Sequence, residues 1–208
     1  MELLLPPSCK VDKPIPKITF FRKGSLGTRI KDEFTDAIAK ITWKYKLSHE
    51  TLSIPPTPLV EELQIFEIEL KEKKIPISVL KVIDTLIPYP ILYLFTYADS
   101  RAYGITLKND PNKSYYFSEW DEQIDFDFHG ITLEKVYQNI IKKFIREAPI
   151  DSHDFEEIVA TERKITTLKN EIQALQNKIS TEKQFKKKVS LNVLLKEKEK
   201  ELSNLTIS

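Results

Sequence analysis

Between Glu62 and Lys71 apolar residues recur at every second position. Phe66, Ile68 and Leu70 alternate with Glu67, Glu69 and Lys71, which predicts a strand with one solvated face. Upstream, Ile30, Phe34, Ile38, Ile41 and Tyr45 follow one another at three- and four-residue spacing. That spacing predicts a single amphipathic helix, capped by Thr28 and ending at Ser48-His49-Glu50 before the prolines at 55, 56 and 58. Residues 1–27 carry Pro6, Pro7, Pro14 and Pro16 and read as an extended arm leading into a short strand at Ile18-Thr19-Phe20-Phe21. Downstream, Ser78 is placed to cap a short helix that stops before Pro88. Three β-rich runs follow, Ile91–Tyr97, Ala102–Lys108 and Ser114–Trp120, joined by short polar links at 98–101 and 109–113 as in an antiparallel meander. A helix from Thr132 to Glu147 then closes the sheet, with Leu133, Val136, Tyr137, Ile140 and Phe144 on one face.

Beyond Pro149 the pattern changes, since residues 151–208 contain no glycine or proline and only two aromatics, Phe155 and Phe185. Ile158, Ile165, Leu168, Ile172, Leu175 and Ile179 fall on the a and d positions of a heptad with Glu and Lys between them, as a coiled coil requires. A second track, Leu191, Leu195, Lys198, Leu202 and Leu205, is displaced from the first, and the basic cluster Lys183, Lys186, Lys187 and Lys188 lies between them. Two readings stay open: one long helix with a discontinuity, or an antiparallel hairpin turning near Ser180–Gln184. The expected architecture is α+β, a mostly antiparallel sheet with packed helices over 1–149, followed by a coiled-coil helix or helical hairpin over 150–208. An unpaired a/d stripe is unstable in water, so it folds back, dimerises or receives a partner helix. This makes Ile165, Leu168, Ile172, Leu175 and Ile179 candidate partner-binding residues.

Composition narrows the function classes. With 208 residues, 41% of them hydrophobic, the chain can build a real core, and 32 Lys+Arg against 31 Asp+Glu leave a net charge of +1. No whole-molecule field therefore draws it onto nucleic acid or anionic lipid, and any DNA contact falls to a local patch, for which Lys183, Lys186, Lys187 and Lys188 are the candidates. Four glycines are too few for the phosphate loops of nucleotide-binding enzymes, which argues against that class. A single cysteine, Cys9, forms no internal disulfide. The run Leu3–Leu5 is cut off by Pro6 and Pro7 before it could act as a signal, and the most apolar stretch, 86–97, is short and carries Pro88 and Pro90. A cytoplasmic protein with no membrane segment is the expectation.

Among chemical motifs, Glu67-x-Glu69-x-Lys71 has the acid-before-lysine spacing of the PD-(D/E)xK nuclease core, in which carboxylates hold Mg²⁺ and the lysine steadies phosphate charge. Such a site needs a further acid, for which Glu61, Glu62 and Asp99 are candidates. A solvated strand face is the plainer account of the same residues. Cys9 with His49, His129 and His153 shows no nucleophile-site spacing, and no paired CxxC or HxxxH suggests zinc. Asp121, Glu122, Asp125 and Asp127 cluster beside His129 within an alternation that reads as a wet edge strand or turn. Gly24-Ser25-Leu26-Gly27 reads as a plain turn before a helix, and Trp43-Lys44-Tyr45-Lys46 as a helix end with its lysines in water. No cofactor or metal is expected outside the nuclease alternative.

Val11-Asp12-Lys13, Ile15-Pro16-Lys17, Trp43-Lys44-Tyr45-Lys46-Leu47, Phe66-Glu67-Ile68, Ile83-Asp84, Ile87-Pro88-Tyr89-Pro90-Ile91, and Tyr116 with Ser118-Glu119-Trp120 together resemble the bacterial family labelled domain of unknown function 4391. Members of that family also end in a charged helical tail like Gln184–Asn192. The resemblance implies a setting beside superfamily-2 helicases and DNA methyltransferases in restriction-like or phage-defence loci, and it supplies no catalytic residues. The leading expectation is a non-catalytic accessory or adaptor subunit acting by protein–protein contact with a helicase or DNA methyltransferase. The alternatives are a nuclease using Glu67, Glu69 and Lys71, and a stand-alone homodimeric scaffold joined through the coil.

Overall fold

A computed structural model describes residues 3–108, 114–146 and 154–206. The chain divides into two compact units, Met1–Phe144 and Ile145–Ser208. The expected link at 109–113, the end of the closing helix at Glu147 and the expected boundary at 149/150 lie outside the described residues.

The first unit is α+β. Its sheet has the order β1 (Lys10–Pro14), β2 (Ile38–Leu47), β3 (Leu63–Leu70), β4 (Ile91–Tyr97), β5 (Ser100–Thr106), β6 (Tyr115–Phe117). Every neighbouring pair is antiparallel except β3 and β4, which run parallel. Two parallel neighbours cannot be joined by a tight turn, so the chain crosses over through α4 (Ile77–Leu86). The remaining helices of this unit are α1 (Lys17–Gly24), α2 (Thr28–Ala37), the single turn α3 (His49–Leu52) and α5 (Leu133–Lys142).

Strand β3 keeps its expected alternation, and Phe66, Ile68 and Leu70 bury in one cluster with Phe20, Phe34, Leu80, Ile83, Tyr93 and Phe95. Each fully buried aliphatic or aromatic side chain in such a cluster contributes about 1.5–3 kcal/mol. The expected helix from Thr28 to Tyr45 is instead two elements, α2 and β2, meeting at Ile38. The cause is visible in the ladder: the register of β2 against β3 slips between Ile38 and Lys40 and again between Trp43 and Tyr45. Each bulge adds a residue, so Ile38 and Ile41 bury with the Phe66 cluster while Tyr45, opposite Ile65, buries on the other face, and three burials at 38, 41 and 45 imitate helical spacing. Ile18–Phe21, expected as a strand, lies in α1, where Phe20 stacks on Phe34 at 5.6 Å and Phe21 meets it edge-on at 5.5 Å. That packing outweighs local β propensity. Two capping expectations also change. Gly27 precedes α2, with Thr28 its first residue, and Pro76 occupies the N-cap of α4 while the Ser78 hydroxyl donates to Glu33. Thr132 does cap its helix, its hydroxyl accepting from the Lys135 N–H at 3.2 Å.

The second unit is a helical hairpin of α6 (Phe155–Thr181) and α7 (Phe185–Thr206). Ion pairs Lys164–Glu201 at 3.0 Å and Lys198–Glu171 at 2.8 Å tie the helices together and show that they run antiparallel. The turn uses neither glycine nor proline. Glu182 is extended, and its carboxylate accepts the Gln184 N–H at 2.7 Å, a side-chain bond that competes with helix continuation.

Candidate functional site

Among the described residues, polar and chargeable side chains gather at several places. The first is the open face of β3. Glu67 is half-buried and lies 3.8 Å from Lys44, whose amine also meets Asp12 at 3.1 Å. Asp12 is held below the usual carboxylate range by the hydrogen bond and charge of Lys44. Glu69 and Lys71 are exposed. Of the acids that could have joined them, Glu62 is engaged with Lys46 at 2.8 Å and with the Gln64 amide at 2.8 Å, and Asp99 lines a separate cleft. Among the described residues no group of three or more His, Cys, Asp or Glu stands close enough to hold a metal ion. Glu67 and Glu69 share a face of β3, Lys71 lies just past its end, and among the described residues no third acid joins them.

The second place is a cleft of about 720 Å³ that includes Arg101, Tyr103, Asp121, Asp125, Asp127 and His129 in its lining. Of the edge strand or turn expected here, no strand forms over 122–130, yet the alternation survives. Phe126 and Phe128 turn inward, with Phe126 edge-on to Tyr103 at 4.9 Å, and Asp125 and Asp127 stay in water. Asp121 is spoken for structurally. It accepts the Arg101 N–H at 2.9 Å and the Ser100 hydroxyl at 3.0 Å, and these bonds lower its carboxyl. Asp127 is lowered by the backbone and then the ring of His129, which sits 3.0 Å away. The alternation Asp125-Phe126-Asp127-Phe128 was the available signal for this cleft. Nothing local announced that β5 would add Arg101 and Tyr103.

The third place is internal and went unread in the sequence. Asp84 on α4 is buried and accepts the Tyr93 hydroxyl at 2.9 Å and the Tyr115 hydroxyl. The Lys108 amine donates to the Asp84 carbonyl at 2.7 Å and to the Ile87 carbonyl, and the Tyr137 hydroxyl accepts the Lys108 N–H at 2.9 Å while donating to the Thr106 carbonyl. Burial first, and then the Asp84 charge, push the Tyr93 and Tyr115 phenols well above their ordinary value. This network locks the end of α4 to three strands. Cys9 is likewise buried, its thiol pushed up by burial and donating to the Thr51 carbonyl at 3.9 Å.

The fourth place is the hairpin. Ile165, Leu168 and Leu175 of α6 are buried, and Ile172 and Ile179 half-buried, as are Leu191, Leu195, Lys198, Leu202 and Leu205 of α7. The seam that could have been offered to a partner is therefore closed within the chain. What α7 leaves in water is another row, Phe185 at 80% exposure, Val189 at 47% and Val193 at 55%. Four residues apart, these side chains share a face turned away from the seam. Lys183, Lys186, Lys187 and Lys188 are all exposed at the tip.

A family model described as a domain of unknown function (DUF4391) matches residues 3–202. The chain belongs to the DUF4391 family. No curated protein and no solved structure matches it significantly. The match runs through both units of this DUF4391 protein, so the hairpin is part of what defines the family's sequence. Among the described residues no helix is long and apolar enough to cross a membrane.

Proposed function

We propose that this DUF4391 protein is a non-catalytic accessory or adaptor subunit that works by protein–protein contact. The family resemblance suggests the partner class, a helicase or DNA methyltransferase of a restriction-like or phage-defence system. The observation that carries the reading is the outward row on α7. A helix whose inner face is already satisfied gains nothing for its own fold by exposing Phe185, Val189 and Val193, whereas an apolar row of i, i+4, i+8 spacing suits a helix-in-groove contact.

The test is affinity purification of the tagged, full-length protein from its native host, with bound proteins identified by mass spectrometry. A stoichiometric helicase or methyltransferase is expected, retained by Glu69→Ala and Lys71→Ala and lost by Val189→Asp/Val193→Asp, with the variant's helicity unchanged by circular dichroism. Bait alone, or a partner indifferent to the α7 row, overturns the reading. Mg²⁺-dependent DNA cleavage abolished by both Glu69→Ala and Lys71→Ala would replace it with the nuclease.

A further inference from the structure

The hairpin distributes its charge unevenly. Away from the tip, Lys164 and Lys198 are matched by Glu201 and Glu171 across the two helices. At the tip, between positions 178 and 190, five lysines face one glutamate. None of Lys178, Lys183, Lys186, Lys187 and Lys188 is engaged in an ion pair among the described residues, and Glu182, the one acid there, is turned to the backbone of Gln184. Four of the five, Lys178, Lys183, Lys186 and Lys187, line a shallow hollow of about 720 Å³ between the end of α6 and the start of α7, together with Glu182. Unmatched exposed lysines repel one another weakly, and an anionic ligand offsets that repulsion.

We infer that the hairpin tip binds the phosphate backbone of single-stranded nucleic acid, without sequence preference. Two features select this ligand among anions. The lysines surround a concave hollow through which a strand of regularly spaced phosphates can pass, and a flat bilayer cannot follow such a surface. The ring of Phe185, 80% exposed at the first position of α7 and next in sequence to Lys186, supplies the stacking surface that single-strand sites combine with cations. A lysine makes a point contact to phosphate that reads no bases, which is why sequence preference is not expected. This inference shares Phe185 with the adaptor reading and otherwise uses different residues: the lysines of the tip here, Val189 and Val193 there.

The experiment is fluorescence anisotropy of a labelled 30-nucleotide oligothymidylate titrated with the full chain across a salt series. Four phosphate contacts predict a slope of log affinity against log salt of about −2.8 for a single strand. Lys183→Gln/Lys186→Gln/Lys187→Gln is expected to flatten that slope by about 2 and to weaken binding at low salt by at least about tenfold. The arginine triple at the same positions should restore binding. A charge-matched control, Lys23→Gln/Lys74→Gln/Lys81→Gln, alters exposed lysines of the first unit and should bind as the parent does. Circular dichroism and an unchanged Tm show that each variant is folded. The proposal is overturned if the parent does not bind the oligonucleotide, or if the glutamine triple binds as tightly as the parent. It is equally overturned if a duplex of the same length is held more tightly, or if the lysine-dependent ligand turns out to be phosphatidylserine-containing vesicles. Retention of oligonucleotide by Val189→Asp/Val193→Asp, alongside loss of the protein partner, separates the two readings.

Discussion

In the α+β unit the carboxylate of Asp84 is enclosed by two tyrosine hydroxyls, and the neighbouring Lys108 amine is spent on backbone carbonyls. At the hairpin tip five lysines stand around a single carboxylate, Glu182, which accepts a backbone N–H. Both regions concentrate polar groups, but in opposite thermodynamic positions. A buried network is costly to leave half-made, because each stranded donor or acceptor keeps its full desolvation penalty. Exposed lysines cost little in either direction, so their arrangement is free to answer to something outside the fold. The contrast teaches where substitutions will be felt as stability and where as binding.

The largest effect is expected inside. Asp84→Ala strands the hydroxyls of Tyr93 and Tyr115 and should lower unfolding free energy by about 2–4 kcal/mol, measured by urea denaturation. A loss under about 1 kcal/mol would mean that water takes over the hydroxyls and that the interior tolerates substitution as the tip does.

Next comes pH. Burial and then Asp84 raise the Tyr93 phenol above its ordinary value, and burial raises Tyr137. In the unfolded chain these phenols ionise near pH 10, while the folded protein keeps them neutral. The unfolded state therefore binds fewer protons above that pH, and stability falls as pH rises. The contribution is intact below pH 10 and declines beyond it by about 1.4 kcal/mol per pH unit from Tyr93 alone. Denaturant midpoints measured from pH 8 to 11 should be flat and then drop, and a midpoint still level at pH 11 would refute the buried network.

The smallest effect belongs to the hairpin. Lys198→Gln removes a cross-helix pair and should lower Tm slightly at low salt, with no difference left in 0.5 M NaCl. Lys183→Gln/Lys186→Gln/Lys187→Gln should leave Tm unchanged or raised, because it relieves repulsion without breaking a pair. A fall in Tm for the triple would show that the tip lysines serve the fold after all.

How much of this was legible in the sequence depended on whether local pattern and tertiary geometry agreed. They agreed in β3, whose outward Glu67 and Glu69 alternate cleanly, and in the heptad tracks, where the half-buried positions of α7 are the ones the spacing named. They disagreed in β2, because bulges are invisible until the partner strand is known, and in α1, whose phenylalanines are helical only in the company of Phe34. The hairpin turn near Ser180–Gln184 was legible only as one of two readings, since a glutamate side chain did what glycine or proline usually announces. Asp84 could not be read as buried at all. It sits on a helix whose other inward residues are aliphatic, and its partners come from 9 and 31 positions away.

The borders of the sheet carry one more consequence. The outermost strand on one side, β1, is kinked by a register break between Lys10 and Lys13, turns through a left-handed backbone at Asp12 and ends on Pro14, which has no N–H to donate. On the other side β6 is three residues long. Neither margin offers a straight run of free backbone groups to an incoming chain. Growth by strand addition is thereby discouraged, as is the cross-β aggregation that exploits it, and quaternary contacts are steered toward side chains on helices. In a cell crowded with nascent β segments, that is a form of discretion built into the backbone.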